Sequence, residues 1–280
     1  MQFIDTHQHL IYRDHLGYGW TQGIAALATG DFTLLDYQVL TKGLGVAGSI
    51  FMEAGVDDAD YQNEARLISK LVGTAGLLAQ ITSCRPETEA GFEAWLDECD
   101  SLNVVGYRRI LHVVPDELSQ NQTFRKNLKL IGKKGLPFDL CLLARQLPLA
   151  EELAKACPDQ VFILDHCGVP DIAGCAFDSW AAHIINLAAL PNIYCKLSGI
   201  TAYCTPGTAS IETLKPWVDH IIDQFGPSRI VWGSDWPVVN LGTGLPDWIA
   251  LTNQLLAGLS ADECAAIGTQ NAGRIYRLHF

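Results

Sequence analysis

The chain has 280 residues, enough for one large domain or two small ones, and it carries a formal net charge of −12. Hydrophobic residues make up 49% of it and charged residues 18%, a balance that excludes disordered, collagenous and coiled-coil proteins. The sequence shows neither an apolar run of the ~18 residues that a bilayer requires nor a secretory signal, so we expect a cytoplasmic globular protein.

Eight short apolar runs predict β-strands, and helical patterns with apolar residues three and four apart lie between them. The predicted strands are Phe3–Asp5, Val46–Met52, Leu77–Ile81, Val104–Leu111, Phe138–Leu143, Val161–Leu164, Asn192–Leu197 and Arg229–Gly233. Alternating strands and helices indicate parallel strands joined by crossovers, and eight such units favour a closed (β/α)8 barrel. We expect a TIM barrel that forms a single domain over residues 1–280.

The segment after the first strand excludes one alternative fold and supplies the longest predicted loop. An open sheet that binds a dinucleotide carries a G-x-G-x-x-G motif here, whereas this strand runs into His7-Gln8-His9. Residues 10–32 then lack a strand or helix pattern and are rich in Gly, Tyr, Trp and His. Such a loop at the mouth of a barrel is either a lid or a packed surface loop.

Ionisable residues collect at the carboxyl ends of the predicted strands, where (β/α)8 barrels build their active sites. In chain order they are His7, His9, Glu53, Arg85, Arg108, Arg109, His112, Asp165, His166, Lys196 and Asp235. Any one of them could stand there by chance. Their shared position predicts one site.

His7 and His9 point the same way, because side chains alternate along an extended chain. Both imidazoles would face the barrel mouth and chelate one divalent ion, although the spacing alone also fits two histidines hydrogen-bonded in a loop. Asp235 lies on the same side of its strand as Gly233, which would leave room for a ligand. The Asp235 carboxylate would bind metal or take a proton from water, or it would only cap a helix.

Other candidate residues each have a structural alternative. His166 ends a buried strand and is either a placed functional side chain or a satisfied core histidine. Lys196 lies within an apolar strand, where a lysine is costly unless it is paired, reaches a ligand or extends its amine to solvent. Arg108 also ends an apolar run, where its charge requires a partner or a ligand. It shares a face of the strand with His112, whereas Arg109 points to the surface or between layers.

Five short motifs carry a resemblance to a known family. They are Asp5-Thr6-His7-Gln8-His9, Gly106-Tyr107-Arg108, Leu164-Asp165-His166-Cys167-Gly168, Lys196-Leu197-Ser198-Gly199 and Gly233-Ser234-Asp235-Trp236-Pro237. With these motifs in this order, the sequence resembles the amidohydrolase superfamily, in particular its lactonases on sugar-acid and dicarboxylic lactones. The resemblance implies a distorted (β/α)8 barrel with His7, His9, His166 and Asp235 around the reaction centre. Asp235 would activate water, and His166 would be the second catalytic residue.

The resemblance also implies a substrate pocket, and it bears on how many metal ions the site could hold. Substrate-binding candidates are Arg108, Lys196, His112 and Trp236, with Tyr12, Trp20 and Tyr203 as further aromatic lining. Many amidohydrolases carry a metal-bridging lysine after strand four and a metal histidine after strand five. This chain has Arg108 at the first of these positions and Asp139 and Cys141 at the second, so we do not expect a two-metal centre.

One divalent ion, zinc in the first place, remains compatible with the sequence. The ligands would be His7, His9 and Asp235, with Glu53 as an optional fourth, because a catalytic zinc takes about three protein ligands and an open position. Members of the branch that work without metal leave the requirement open.

We therefore favour a hydrolase that opens a small sugar-acid lactone. The alternatives are a metal-dependent decarboxylase of a small aromatic acid on the same barrel and a non-catalytic barrel that binds metal or sugar. Lysine and arginine occur only singly or in short pairs, so the expected partner is a small molecule and not nucleic acid or a membrane. Nine scattered cysteines without a C-x-x-C pair fit reduced thiols, and the oligomeric state is left open.

Overall fold

The computed structural model describes residues 1–278, and its eight parallel strands form one sheet in chain order. The strands are β1 (Phe3–Gln8), β2 (Val46–Met52), β3 (Leu77–Ser83), β4 (Val104–Ile110), β5 (Phe138–Cys141), β6 (Phe162–Leu164), β7 (Ile193–Leu197) and β8 (Ile230–Trp232). All eight predicted strands are present, with ends that differ by a few residues, and the prediction of a TIM barrel is confirmed.

Helices connect the strands and surround the barrel. They are α1 (Leu34–Thr41), α2 (Tyr61–Ser69), α3 (Phe92–Cys99), α4 (Gln122–Lys134), α5 (Leu147–Ala156), α6 (Phe177–Ala188), α7 (Ile211–Phe225), α8 (Leu245–Leu255), α9 (Ala261–Ala265) and α10 (Asn271–Ile275). In α4, Phe124, Leu128 and Ile131 form the buried stripe; Asn121 caps the start and the left-handed Gly135 ends the helix. No helix formed by residues 1–278 has the length and apolar character to cross a membrane.

The barrel closes where the segment that follows β8 is hydrogen-bonded to the end of β1. The Asp235 amide donates to the His7 carbonyl, and the His9 amide donates to the Trp236 carbonyl, each over 2.7 Å. The buried Asp5 carboxylate reinforces this seam by accepting the Ser234 amide over 2.8 Å and the His7 amide over 3.0 Å. The closure of the fold therefore places Asp235 directly beside His7.

The interior of the barrel is apolar at one level and ionic at another. The apolar level is formed by Ile4, Ile50, Met52, Ala79, Ile81, Ile163 and Val231, with Ala272 of α10 and the following Tyr276 packed against them. The ionic level contains side chains from β1, β4, β5 and β7 that are all 3% exposed or less: His7, Arg108, Asp139 and Lys196. Buried charges at such a density require pairing, which the site below provides.

The loop of residues 10–32 is packed against its neighbours, which decides between the two predicted alternatives. Arg13 donates to the Gly30 carbonyl over 2.7 Å and to the Thr21 hydroxyl over 3.1 Å, so it ties the loop together from within. The Gly17 amide donates to Asp60 over 3.0 Å, and the Trp20 indole donates to the Ala54 carbonyl over 2.9 Å. These bonds fix the loop on the segment after β2.

Candidate active site

A cavity of about 500 Å³ opens at the carboxyl ends of the strands, where the sequence predicts the site. Its polar lining includes His9, Glu53, Asp58, Arg85, Arg108, Arg109, His112, His166 and Asp235. Its apolar lining includes Trp20, Val56, Ile110, Val113, Leu143, Val169, Tyr203 and Val238. This volume and this mixture of polar and apolar walls are typical of a site for a small molecule.

Three imidazoles surround the Asp235 carboxylate. His9 Nε2 lies 3.3 Å and His7 Nε2 lies 3.7 Å from Asp235 Oδ1, while His166 Nδ1 lies 4.0 Å from Oδ2. His7 lies in β1 and His9 directly follows it, while His166 and Asp235 lie just beyond the carboxyl ends of β6 and β8. The structure thus brings together the four residues that the sequence placed at the reaction centre.

Each imidazole has a second partner that orients its ring. His9 Nδ1 lies 2.9 Å from the Met52 carbonyl oxygen, so this nitrogen donates to it and Nε2 is turned toward Asp235. His7 Nδ1 faces Asp165 Oδ1 at 3.3 Å in the same manner. Burial lowers the pKa of His7 well below its usual value, against the attraction of Asp165, so this ring is neutral.

His166 and Asp235 are held by unusual backbone conformations. His166 has φ +53°, Cys167 has φ +55° and Asp235 has φ +60°, in the left-handed region that costs non-glycine residues of the order of 1–3 kcal/mol each. Ser198 Oγ, 2.9 Å from His166 Nδ1, holds the His166 ring. A Cβ on Gly199 would lie 2.6 Å from both His166 Nδ1 and Asp235 Oδ2, so only glycine fits between them.

Arg108 is fixed at the base of the cavity by several acceptors. Its Nε donates to Glu53 Oε1 over 2.7 Å, and its Nη2 donates to the Glu53 carbonyl over 2.6 Å. Its Nη1 lies 3.2 Å from His7 Nε2 and 3.3 Å from Asp165 Oδ2. Glu53 also accepts the Gly55 amide over 2.9 Å. The Glu53 carboxylate is therefore committed to Arg108 and Gly55, which corrects its prediction as a metal ligand.

Two predicted substrate-binding residues do not line the cavity. Lys196 is fully buried, where its Nζ contacts Asp139 and lies 3.0 Å from Asp165 Oδ1. It pairs with these buried carboxylates inside the barrel and does not reach the cavity lining. Trp236 packs between Phe32 and Tyr37, with ring centroids 5.5 Å from each, on the outer side of the barrel seam.

The remaining predicted pocket residues divide between the cavity and the surrounding shell. His112 lines the mouth with its Nδ1 3.5 Å from Cys141 Sγ, and Trp20 and Tyr203 also line the cavity. Tyr12 does not, because its hydroxyl accepts the amide of Leu34, the first residue of α1, over 3.1 Å. Arg109 pairs with Glu87, between layers as expected, but it also reaches the cavity wall.

Gly233 serves a purpose other than the predicted one. A Cβ at this position would lie 2.6 Å from the Cβ of His7, so the glycine makes room for His7 and not for a ligand. Asp165, to which the sequence reasoning gave no role, contacts His7, Arg108 and Lys196. A carboxylate at the end of an otherwise apolar strand, directly before a candidate histidine, was the available signal.

The donors around Asp235 fit one metal ion. The ligand atoms of His7, His9 and Asp235 lie within 4.8 Å of one another, and two imidazoles with one carboxylate make a common zinc set. The second nitrogen of His9 lies 2.9 Å from the Met52 carbonyl oxygen and that of His7 faces Asp165 at 3.3 Å, the kinds of partner that metal-binding histidines usually have. Arg108 Nη1 faces the same lone pair of His7 and would compete with an ion for it.

Comparisons with known proteins agree with this geometry. The profile of the amidohydrolase family matches residues 4–278. This chain belongs to the amidohydrolase family. An L-fucono-1,5-lactonase of Burkholderia ambifaria is 35% identical over 98% of this chain and 95% of its own. An L-rhamnono-gamma-lactonase of Scheffersomyces stipitis is 22% identical over 87% of this chain and 76% of its own.

A solved structure extends the similarity to three dimensions. The crystal structure of an amidohydrolase from Burkholderia multivorans with bound zinc superimposes with a TM-score of 0.91, at 26% identity and over 100% of both chains. The predicted family resemblance is confirmed, and with it the prediction of an enzyme of this superfamily. The zinc is a property of that neighbour, and it agrees with the donor set described above.

Proposed function

We propose that this protein hydrolyses a lactone of a sugar acid, with Asp235 as the general base. The relatives named as L-fucono-1,5-lactonase and L-rhamnono-gamma-lactonase support this substrate class. One observation carries the role of Asp235. Of the carboxylates among the described cavity residues, Glu53 and Asp58 are paired with arginines, whereas Asp235 faces only imidazoles.

The reaction needs one water and one proton carrier. The Asp235 carboxylate takes a proton from water as the oxygen attacks the lactone carbonyl carbon, which becomes tetrahedral with a negative oxygen. The carbonyl re-forms as the ring C–O bond breaks. The leaving alkoxide then takes the proton from Asp235, so the base is restored and the product is the open hydroxy acid.

Arg108 and His166 stabilise the charge that develops on the carbonyl oxygen. Arg108 is positively charged at any working pH, and its contacts with Glu53 hold it rigid, as electrostatic stabilisation in a preorganised site requires. When the Ser198 hydroxyl donates to His166 Nδ1, the proton of the ring resides on Nε2, which makes His166 a hydrogen-bond donor. Burial lowers the pKa of His166, so the ring donates as a neutral group.

A bound divalent ion would be held by His7, His9 and Asp235. It would supply Lewis-acid polarisation of an oxygen ligand. The roles of Arg108 and His166 do not depend on it, because both contact partners within the chain.

The proposal is tested with a panel of sugar-acid lactones in a weakly buffered pH-indicator assay, with and without a chelator. Ring opening releases one proton per turnover, so we expect acidification with at least one aldonolactone and recovery of the matching aldonate. The metal content of the purified protein is measured in parallel. Acidification of none of the lactones, before and after metal addition, would refute the proposal. Carbon dioxide release from an aromatic acid would point to the decarboxylase alternative.

A further inference from the structure

Every arginine among the described cavity residues is paired with a carboxylate. The pairs are Arg85 with Asp58, Arg108 with Glu53 and Arg109 with Glu87, at N–O distances of 2.8, 2.7 and 2.8 Å. With Asp235 added, four carboxylates face three guanidinium groups. The cavity therefore presents no excess positive charge to a substrate.

The Arg85–Asp58 pair differs from the other two in exposure. The Arg85 side chain is 10% exposed and the Asp58 side chain 81%, whereas both partners are at most 15% exposed in the other pairs. Arg85 is held by Ser83 Oγ at 2.7 Å, and its guanidinium carbon lies 4.3 Å from the centre of the Tyr61 ring. The cation is thus fixed in the wall, and its charge is balanced by a carboxylate open to the cavity.

We propose that Asp58 makes this cavity select uncharged lactones over lactones that carry a carboxylate. This inference rests on the proposed function for the identity of the substrate, but its chemistry follows from the pairing. A hydroxyl of a neutral ring accepts a hydrogen bond from Arg85 and donates one to Asp58, so the pair recognises a polyhydroxy ring. A carboxylate on the ring accepts from Arg85 but meets Asp58 as a like charge.

The inference makes Asp58 a specificity-determining residue. Without its charge, Arg85 becomes an unpaired guanidinium in a cavity wall, which is the usual group for binding a carboxylate. The Asp58→Asn variant keeps the size of the side chain and removes its charge. Because Asp58 is exposed, this change leaves the core intact, which the melting temperature verifies.

The first test measures binding of citrate, a small polycarboxylate, by titration calorimetry at low ionic strength. Relief of one facing like charge lowers the Kd of Asp58→Asn at least about tenfold relative to the wild type. The control Glu93→Gln makes the same change in net charge on an exposed position of α3 and leaves the Kd unchanged. The double variant Asp58→Asn, Arg85→Met loses the gain, because the cation responsible is gone.

Equal citrate binding by wild type and Asp58→Asn would overturn the inference, and so would a gain that survives the loss of Arg85. The second test measures kcat/KM for the best neutral lactone of the panel. We expect kcat/KM to fall about tenfold in Asp58→Asn, because the acceptor for a substrate hydroxyl is weakened. We also expect citrate to inhibit this variant more strongly than the wild type. Citrate binding requires no turnover, so an inactive wild type would refute the proposed function and leave the test of Asp58 intact.

Discussion

At the scale of single residues, the contact between Asp235 and His166 depends on a glycine that has no chemistry of its own. Gly199 has φ +65°, and any side chain there would meet both functional groups at 2.6 Å. The atoms in its way are the carboxylate oxygen and the ring nitrogen themselves. A substitution would therefore displace the reacting groups and leave the core in place.

The Gly199→Ala variant is expected to lose about a hundredfold in kcat, because misplacement of reacting groups by about 1 Å has effects of that size. Gly207→Ala is the matched control: its φ is +80°, and an added Cβ would have no neighbour within 4 Å. Both alanines lose about 1 kcal/mol in free energy of unfolding from the left-handed conformation. Steady-state kinetics and chemical denaturation measure both effects, and equal activity of the two variants would contradict the steric argument.

At the scale of elements, the end of β1 and the loop of residues 10–32 decide the shape of the site. Strand alternation correctly predicted that His7 and His9 face the same side, but it did not predict the seam that places Asp235 beside them. That seam depends on long-range hydrogen bonds between segments more than 200 residues apart. The loop remained undecided in the sequence because its anchors, Asp60 and Ala54, lie in another element.

The Arg13→Met variant is expected to loosen the 10–32 loop, because Arg13 donates to acceptors at three points within it. Hydrogen exchange of residues 14–31 should accelerate, and KM should rise several-fold with little change in kcat as Trp20 leaves the cavity wall. Arg66→Met is the control, since Arg66 pairs with Glu98 on the surface and does not line the cavity. Unchanged exchange in the loop would show that Arg13 does not hold it.

At the scale of the whole molecule, the barrel encloses an ion-pair network in which Arg108 and Lys196 face the carboxylates of Glu53, Asp165 and Asp139. Arg108 and Lys196 carry two positive charges, and Glu53, Asp165 and Asp139 carry three negative charges when ionised. Burial raises the pKa of Asp139 to about 7, against the attraction of Lys196. Burial therefore favours the protonated form of Asp139 below about pH 7, and this carboxyl group also lies 3.4 Å from the Tyr276 hydroxyl.

This proton gives the free energy of unfolding a defined pH dependence. An unfolded aspartate titrates near pH 4, so between about pH 4 and 7 the folded protein keeps a proton that the unfolded chain has lost. The contribution of Asp139 to stability is largest below this window and falls as the pH rises through it. In chemical denaturation, the free energy of unfolding of the wild type minus that of Asp139→Asn should decrease as the pH rises from 4 to 7. A difference that is constant or increases would contradict the assignment.

The sequence predicted most of the fold and part of the site. Eight apolar runs and their spacing were sufficient for the barrel, because parallel strands buried on both faces leave a strong local pattern. Side chains at strand ends identified His166 and Asp235. Lys196 was misplaced, because a lysine in a strand shows that a partner is required but not whether it is a ligand or, as here, the buried Asp139.

The general base is the central claim, and one comparison tests it most directly: kcat of Asp235→Asn against the wild type on the best lactone of the panel. Asparagine keeps the shape of the side chain but cannot accept the proton of water. We expect kcat to fall by about a thousandfold, with KM and melting temperature nearly unchanged. Turnover at the wild-type rate by a folded Asp235→Asn protein would contradict the account.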